Sequence, residues 1–280
     1  MKIIIHGGFF SESSKSEETK KAKQEAMSRI VRSSYEYLKS HTAVETVVYA
    51  VSQLEDDPLF NAGTGSQIQS DGKIRMSAAV IDGTTQKMSG VINIEDVKNP
   101  VQVAEKLMAF EDKVLGGVGA NEFAAQHGFE KHSVETEERK KEYEEKKKSK
   151  GQGTVGCVAL DQYGKIAAAT STGGKGFEMP GRISDSATVA GNYANSMVGV
   201  STTGVGEDIV SGAVAAKIVT RFTDGFPIDK AFTKTFGELK PFDGFCGAIA
   251  ITHDGHIFHH DSHPTMVFAS FDGLNERMFE

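Results

Sequence analysis

Apolar and polar positions change rhythm several times along this chain. A short apolar run, Lys2 to Ile5, reads as a strand and passes into "HGGFF", where two glycines permit a tight turn. After a polar stretch, Ser11 to Lys23, the residues Met27, Ile30, Val31 and Leu38 recur at helical spacing. A second helix is predicted in "HTAVETVVYAVSQLE", with Val44, Val47, Val48, Val51 and Leu54 on one face and Thr42 as its cap. Beyond "DDPLFNAGTGS" the period shortens to that of strands, and Asp71-Gly72 and Asp82-Gly83 are turn dipeptides around "KIRMSAAVI". Helical spacing returns at Val101, Val103, Ala104, Leu107 and Met108, behind Pro100 as a first-turn proline.

The second half is rich in strands: "TVGCVALD", "GKIAAATS", "SMVGVST", "GFCGAIAIT" and "GHIFHH", with Tyr163-Gly164 and Asp254-Gly255 as turns. Two helical runs, Glu207 to Arg221 and Ile228 to Leu239, interrupt them. Between the halves, the 18 residues Ser133 to Lys150 hold six acidic and seven basic side chains and no apolar stripe. Such a run is either a solvated helix with paired charges or a flexible linker. Helices bunched between antiparallel-looking strands argue for helix layers on sheets, an α+β fold, rather than alternating βαβ units. A single domain over residues 1–280, an αββα sandwich assembled from both halves, fits this order, though periodicity alone does not select it.

Composition narrows the function without naming it. The 280 residues carry a formal net charge of -7, which gives no basic face for nucleic acid. No apolar run is long enough to span a membrane, and "MKIIIHGG" is too short for a signal sequence, so a cytoplasmic protein is expected. Cys157 and Cys246 both lie in apolar strand-like runs and are expected as buried free thiols. The histidines of "HDGHIFHHDSH" invite a metal reading. On a strand, however, His256 and His260 face one way and His259 the other, which favours an exposed hairpin.

The charged run ends abruptly at Gly153-Thr154, the start of "TVGCVALD". A threonine hydroxyl is a weak nucleophile unless a base adjoins it, and one solution is the threonine's own α-amine, with a reference pKa of about 8. That amine exists only if Thr154 becomes a chain terminus. Gly153 suits the step, because a residue without a side chain leaves its carbonyl open and accepts unusual backbone geometry. Taken alone, Gly153-Thr154 reads as a turn glycine before the first residue of a strand.

"TVGCVALD", "AAATSTGG", "PGRISDS", "GNYAN" and "STTGVGE" follow in this order at close spacing, preceded by "IIIHGG" and "DPLFNAGTGS". In this combination, over nearly the whole length, the chain resembles the plant-type asparaginase and isoaspartyl peptidase family of N-terminal nucleophile hydrolases. The resemblance implies a four-layer αββα sandwich and a precursor that cleaves itself before Thr154. The first half, Met1 to Gly153, would then end in the charged run, and the second would be Thr154 to Glu280. It also implies hydrolysis of β-aspartyl peptides and asparagine to aspartate, no catalytic cofactor, and a dimer of cleaved protomers.

Carried over residue by residue, the resemblance makes Thr154 the nucleophile, Thr172 its supporting hydroxyl, and Thr203 with Gly204 the oxyanion hole. Arg182 and Asp185 become the holders of the substrate's α-carboxylate and α-amine, a chemistry that guanidinium and carboxylate groups suit. Gly206 would line the substrate site, Asn61 would lie near the nucleophile, and the loop Leu54 to Thr64 could wrap a structural sodium ion with backbone carbonyls. Without the family pattern, Thr172 could cap a turn, Arg182 and Asp185 could form a surface ion pair, and Thr203 could sit in an ordinary strand-to-helix turn.

Alternatives within reach are a glycosylasparaginase, normally exported and disulfide-bonded, and an uncleaved, non-catalytic relative serving as a binding or scaffold protein. Three stretches depart from the family pattern: Phe9-Phe10 where small residues are usual, "DGFCG" at Asp243 to Gly247 in place of "GGxGG", and "SHPTM" at Ser262 to Met266 in place of "TEGM".

Overall fold

The computed structural model describes residues 1–10, 16–145, 153–242, 244–263 and 266–280. In chain order its elements are β1 (Lys2–Phe9), α1 (Glu17–Leu38), α2 (Ala43–Asp56), β2 (Met76–Asp82), β3 (Lys87–Ile94), α3 (Pro100–Leu107), β4 (Val114–Gly116), α4 (Gly117–Gln126) and α5 (Glu137–Glu144). The second half adds β5 (Thr154–Leu160), β6 (Ile166–Thr172), β7 (Asn192–Ala194), β8 (Val198–Gly204), α6 (Gly206–Gly212), α7 (Val214–Thr223), α8 (Ile228–Gly237), β9 (Cys246–Thr252), β10 (Ile257–Asp261), β11 (Met266–Phe271) and β12 (Glu276–Met278).

Two sheets result. One has eight strands in the order β12-β11-β1-β5-β6-β2-β3-β4 and the other four, β10-β9-β8-β7. Period-two alternation sorts the β1 side chains: Ile3 and Ile5 pack with α1, α2 and α3, whereas Ile4 packs toward the second sheet. In β5, Val155, Cys157 and Ala159 face those helices, and Val158 and Leu160 face the second sheet. On the far side, Val198 and Val200 of β8 and Cys246, Ala248 and Ala250 of β9 pack under α6, α7 and α8. The layers therefore run helix, sheet, sheet, helix, which is the expected αββα sandwich. Both halves of the sequence build the large sheet, since β1 pairs with β5 and β5 with β6.

Most helices lie where periodicity put them. Thr42 caps α2 in a reciprocal capping box with Glu45, and Pro100 opens α3. Within the charged run the structure has helix α5, with none of its residues buried; positions 146–150 lie outside the described residues. Arg139 Nε ties α5 to the Gly65 carbonyl at 2.8 Å.

Two expectations are corrected, and one alternative reading is removed. "HGG" is not a turn: β1 runs through it to Phe9, with its register shifting between His6 and Phe9. Glycine is needed at Gly7 because a Cβ there would lie 2.5 Å from the Phe60 ring. The run Glu207 to Arg221 is two helices, broken where Ala213 adopts a left-handed backbone (φ 47°). Arg182 and Asp185 form no mutual ion pair; Arg182 pairs with Glu207 instead. Cys157 and Cys246 are free and buried, one in each helix-facing core. No helix among the described residues is long and apolar enough to cross a membrane.

One buried carboxyl joins three elements. Glu55, near the end of α2, accepts hydrogen bonds from Ser171 Oγ of β6 (2.6 Å) and the Val101 amide in the first turn of α3 (3.1 Å). Burial pushes its pKa up to about 8, against the pull of those hydrogen bonds, so the group is mostly neutral at pH 7. Between the ordinary carboxyl pKa and about 8 the folded chain holds a proton that the unfolded chain has lost, so stability falls as pH rises. Glu55→Gln keeps the accepting oxygen and removes the titration. Wild-type stability relative to the variant should drop by up to about 1.4 kcal/mol per pH unit through this window, measured by urea unfolding at pH 5 to 9; a pH-independent difference would contradict this role.

Candidate active site

The site lies where the first residue of β5 enters the space between the sheets. Thr154 shares the face of Gly156, Val158 and Leu160, so its side chain points inward, and it is nearly fully buried. It pairs in register with Thr172 of β6, and the Thr154 Oγ1 to Thr172 Oγ1 distance is 3.5 Å. The Thr172 hydroxyl also lies 3.4 Å from the Gly153 carbonyl oxygen and accepts a hydrogen bond from the Gly174 amide at 3.2 Å.

Close sheet packing sets what stands opposite. A Cβ on Gly156 would lie 2.1 Å from Ser201 Oγ, and one on Gly199 would lie 3.0 Å from Val158 Cγ1. β5 and β8 therefore pass one another in opposite senses, and the next step of two residues brings Thr154 opposite Thr203. The Thr203 hydroxyl is buried and has no hydrogen-bond partner among the described residues. A buried hydroxyl without a partner costs free energy, and a donor held this way is available to a ligand oxygen. Gly204 follows in a left-handed backbone (φ 139°), where a side chain would strike the Phe245 carbonyl at 2.1 Å.

Asn61 closes the floor. Its amide nitrogen donates to the Gly174 carbonyl (2.5 Å), its side-chain oxygen accepts from the Gln67 amide (3.0 Å), and its backbone carbonyl accepts from the Gly173 amide (2.9 Å). A Cβ on Gly153 would lie 2.8 Å from Asn61 Cβ, so only glycine fits before Thr154.

Sequence reasoning did not single out the histidine of "HGG". His6 is fully buried, with Nδ1 3.0 Å from the Thr154 carbonyl and Nε2 2.8 Å from Ser201 Oγ. Burial lowers its pKa to about 3, outweighing the hydrogen bond to Thr154, so the ring is neutral. Only an N–H can approach a carbonyl, which assigns the proton to Nδ1 and makes Nε2 the acceptor from Ser201. Ser201 in turn accepts from Thr170 Oγ1 at 2.7 Å. This relay fixes the carbonyl of Thr154.

Arg182 and Asp185 flank the other side of β8. A Cβ on Gly206 would meet Arg182 Nη2 at 2.7 Å and Asp185 Oδ1 at 2.8 Å, so a side chain there would displace both groups. Arg182 donates through Nε and Nη2 to Glu207 at 3.1 and 3.0 Å, and Lys175 Nζ reaches the same carboxylate at 2.9 Å. Burial opposes ionisation of Glu207, but these donors outweigh it and bring its pKa down to about 2. Asp185 is buried, and burial pushes its carboxyl up to about 6 despite the nearby Arg182 charge and a hydrogen bond from Thr202 Oγ1 at 3.3 Å. An acid held partly neutral by burial gains most from a cation brought beside it. Glu207 escaped the sequence reading because an acidic residue in a first helical turn looks like an ordinary dipole partner; only the fold carries it to Arg182.

Among the described residues, no group of three or more His, Cys, Asp or Glu is placed to hold a metal. His259 stacks on Phe268 and His260 meets Phe236 on the opposite face, as strand alternation required. Phe10, one of the unusual residues, packs on Phe279 beneath the Lys23 ammonium.

The model of the asparaginase family matches residues 1–277. An isoaspartyl peptidase/L-asparaginase of Synechocystis sp. (strain ATCC 27184 / PCC 6803 / Kazusa) is 42% identical, covering 97% of this chain and 88% of that protein. A plant-type L-asparaginase of Pyrococcus abyssi (strain GE5 / Orsay) is 38% identical over 79% of this chain and 78% of its own. An isoaspartyl peptidase/L-asparaginase of Rattus norvegicus is 37% identical over 90% of this chain and 80% of its own. With a family match over almost its whole length and relatives of this identity, the chain belongs to the asparaginase family that includes the isoaspartyl peptidases.

Proposed function

We propose that the chain is a self-processing threonine amidohydrolase that cleaves β-aspartyl peptides and L-asparagine, releasing L-aspartate. The observation that carries this reading is the seating of Thr154: the first residue of a central strand, preceded by a glycine with no room for a side chain, its hydroxyl 3.5 Å from that of Thr172. In processing, Thr154 Oγ attacks the Gly153 carbonyl, to which the Thr172 hydroxyl donates. The amide becomes an ester, and water hydrolyses it to leave a carboxylate on Gly153 and a free amine on Thr154.

That amine then accepts the Thr154 hydroxyl proton as the oxygen attacks the substrate's side-chain carbonyl. The Thr203 hydroxyl and the Gly204 amide donate to the developing oxyanion. The amine passes its proton to the departing nitrogen, and water resolves the aspartyl ester. Arg182, steadied by Glu207, keeps N–H groups for the α-carboxylate, and Asp185 takes the α-ammonium, so the carbonyl is presented in one orientation.

The segment Leu54 to Thr64 begins in the last turn of α2 and continues as a loop, and the carbonyls of Pro58 and Phe60 pack against Gly65, each 2.8 Å from the point a Cβ there would occupy. Hard oxygen donors of this kind suit an alkali cation. A sodium ion held there by backbone carbonyls would stiffen the loop carrying Asn61 and take no part in the chemistry. The working unit is a homodimer of cleaved protomers, to be checked by light scattering. A glycosylasparaginase finds no favouring observation: the relatives described above carry other names, and both cysteines are free.

Turnover of a β-aspartyl dipeptide, followed by aspartate release, tests the function. Thr154→Ala should abolish it, and activity retained in that variant would overturn the assignment. For the anchor, log kcat/KM should fall with one proton below the pKa of the Thr154 amine and with a second below about pH 6, as Asp185 protonates in the free enzyme. Asp185→Asn should lose about a hundredfold in kcat/KM and also the second proton from the pH profile. A profile unchanged by the substitution would remove Asp185 from the anchor.

A further inference from the structure

Three side chains from separate segments meet beside the site. Phe9 ends β1, Phe245 immediately precedes β9, and His263 follows β10. The Phe9 and Phe245 rings meet edge to face at 4.3 Å, and Phe245 stacks on His263 at 4.6 Å with the planes 22° apart. Phe9 is buried, Phe245 half-buried and His263 exposed, so the stack climbs from the inter-sheet core to solvent.

Two glycines bring this stack against the residues opposite Thr154. Gly247 is the β9 partner of Thr203, and a Cβ there would lie 2.9 Å from Phe9 Cζ and 2.6 Å from Met266 Sδ. Gly204 lies under the Phe245 carbonyl, which also accepts from the Val205 amide at 2.8 Å. The stack therefore stands on the β9 flank of Thr203 and Gly204. Arg182 and Asp185 stand on the other flank, beside Gly206 and within reach of Thr202. The large sheet divides the same way, with β6 and Thr172 on one side of β5 and β1 with Phe9 on the other.

A substrate anchored at Arg182 and Asp185, with its scissile carbonyl between Thr154 and Thr203, extends its departing group toward the stack. We propose that Phe9, Phe245 and His263 form the subsite for the departing amino acid and favour β-aspartyl peptides with an apolar or aromatic residue there. Asparagine, whose departing group is ammonia, places nothing on it. This inference rests on the assignment of Thr154 and Thr203 made above. Edge and face contacts between rings reward a flat apolar side chain, and one such contact changes affinity severalfold.

The test compares β-aspartyl-phenylalanine, β-aspartyl-glycine and asparagine on fully cleaved enzyme, with cleavage verified by mass. Wild type should prefer the phenylalanine dipeptide to the glycine one by about tenfold in kcat/KM. Phe245→Ala should remove that preference mainly through KM, leaving asparagine kinetics within about twofold, and Phe245→Leu should restore part of it. Exposed His263 can be replaced without disturbing the core, so His263→Ala, with a loss of about threefold confined to the phenylalanine dipeptide, covers the case in which Phe245→Ala fails to fold. Equal kcat/KM for the two dipeptides in wild type, or equal losses on dipeptide and asparagine in the variants, would overturn the subsite. Loss of the underlying assignment reads out differently, as turnover that survives Thr154→Ala.

Discussion

Everything at this site depends on how closely the two sheets can approach at the start of β5. The approach is possible because Gly156 and Gly199 present no side chains where Ser201, His6, Val158 and Ile166 need the space. In so narrow a gap several polar groups hydrogen-bond to one another. Thr170, Ser201 and His6 do so in a single-file relay that ends on the Thr154 carbonyl. The backbone of Thr154 is thereby fixed, while its hydroxyl lies 3.5 Å from that of Thr172. A seat of this kind is built into the uncleaved chain and does not wait for a substrate.

Burial divides the electrostatics around Arg182 and Asp185. Arg182 reaches toward solvent and pairs there with the half-exposed Glu207, which Arg182 and Lys175 together hold ionised. Asp185 has no such partner and sits in the folded chain with its ionised form disfavoured. In the proposed role of Asp185, an incoming ammonium would supply the missing counter-charge, and binding would relieve a penalty that folding has imposed.

The sequence made legible whatever depends on local rules. Amphipathic spacing gave α1, α2, α3 and α8, the Thr42 cap and the Pro100 start, and turn dipeptides gave the β5-β6 and β9-β10 hairpins. Strand β11, the neighbour of β1, was not singled out, because it matters only through pairing with a strand some 260 residues earlier in the chain. The course of β1 through "HGG" was misread because Gly7 answers to the Phe60 ring and Gly8 takes its left-handed backbone (φ 84°) within the strand rather than in a turn. At the site, the ordered motifs pointed to Thr154, Thr172, Thr203, Arg182 and Asp185. His6, Ser201 and Glu207 act through tertiary neighbours that no local pattern specifies. The three departures from the family pattern looked like separate irregularities in sequence, yet members of all three, Phe9, Phe245 and His263, share one stack.

The central claim is that Thr154 becomes a chain terminus, and intact-mass measurement of the purified chain during incubation at neutral pH tests it most directly. The account predicts two fragments, Met1–Gly153 and Thr154–Glu280, with the second beginning at a free threonine amine. A chain that keeps its full mass while hydrolysing β-aspartyl peptides, or one that breaks at any other bond, would contradict it.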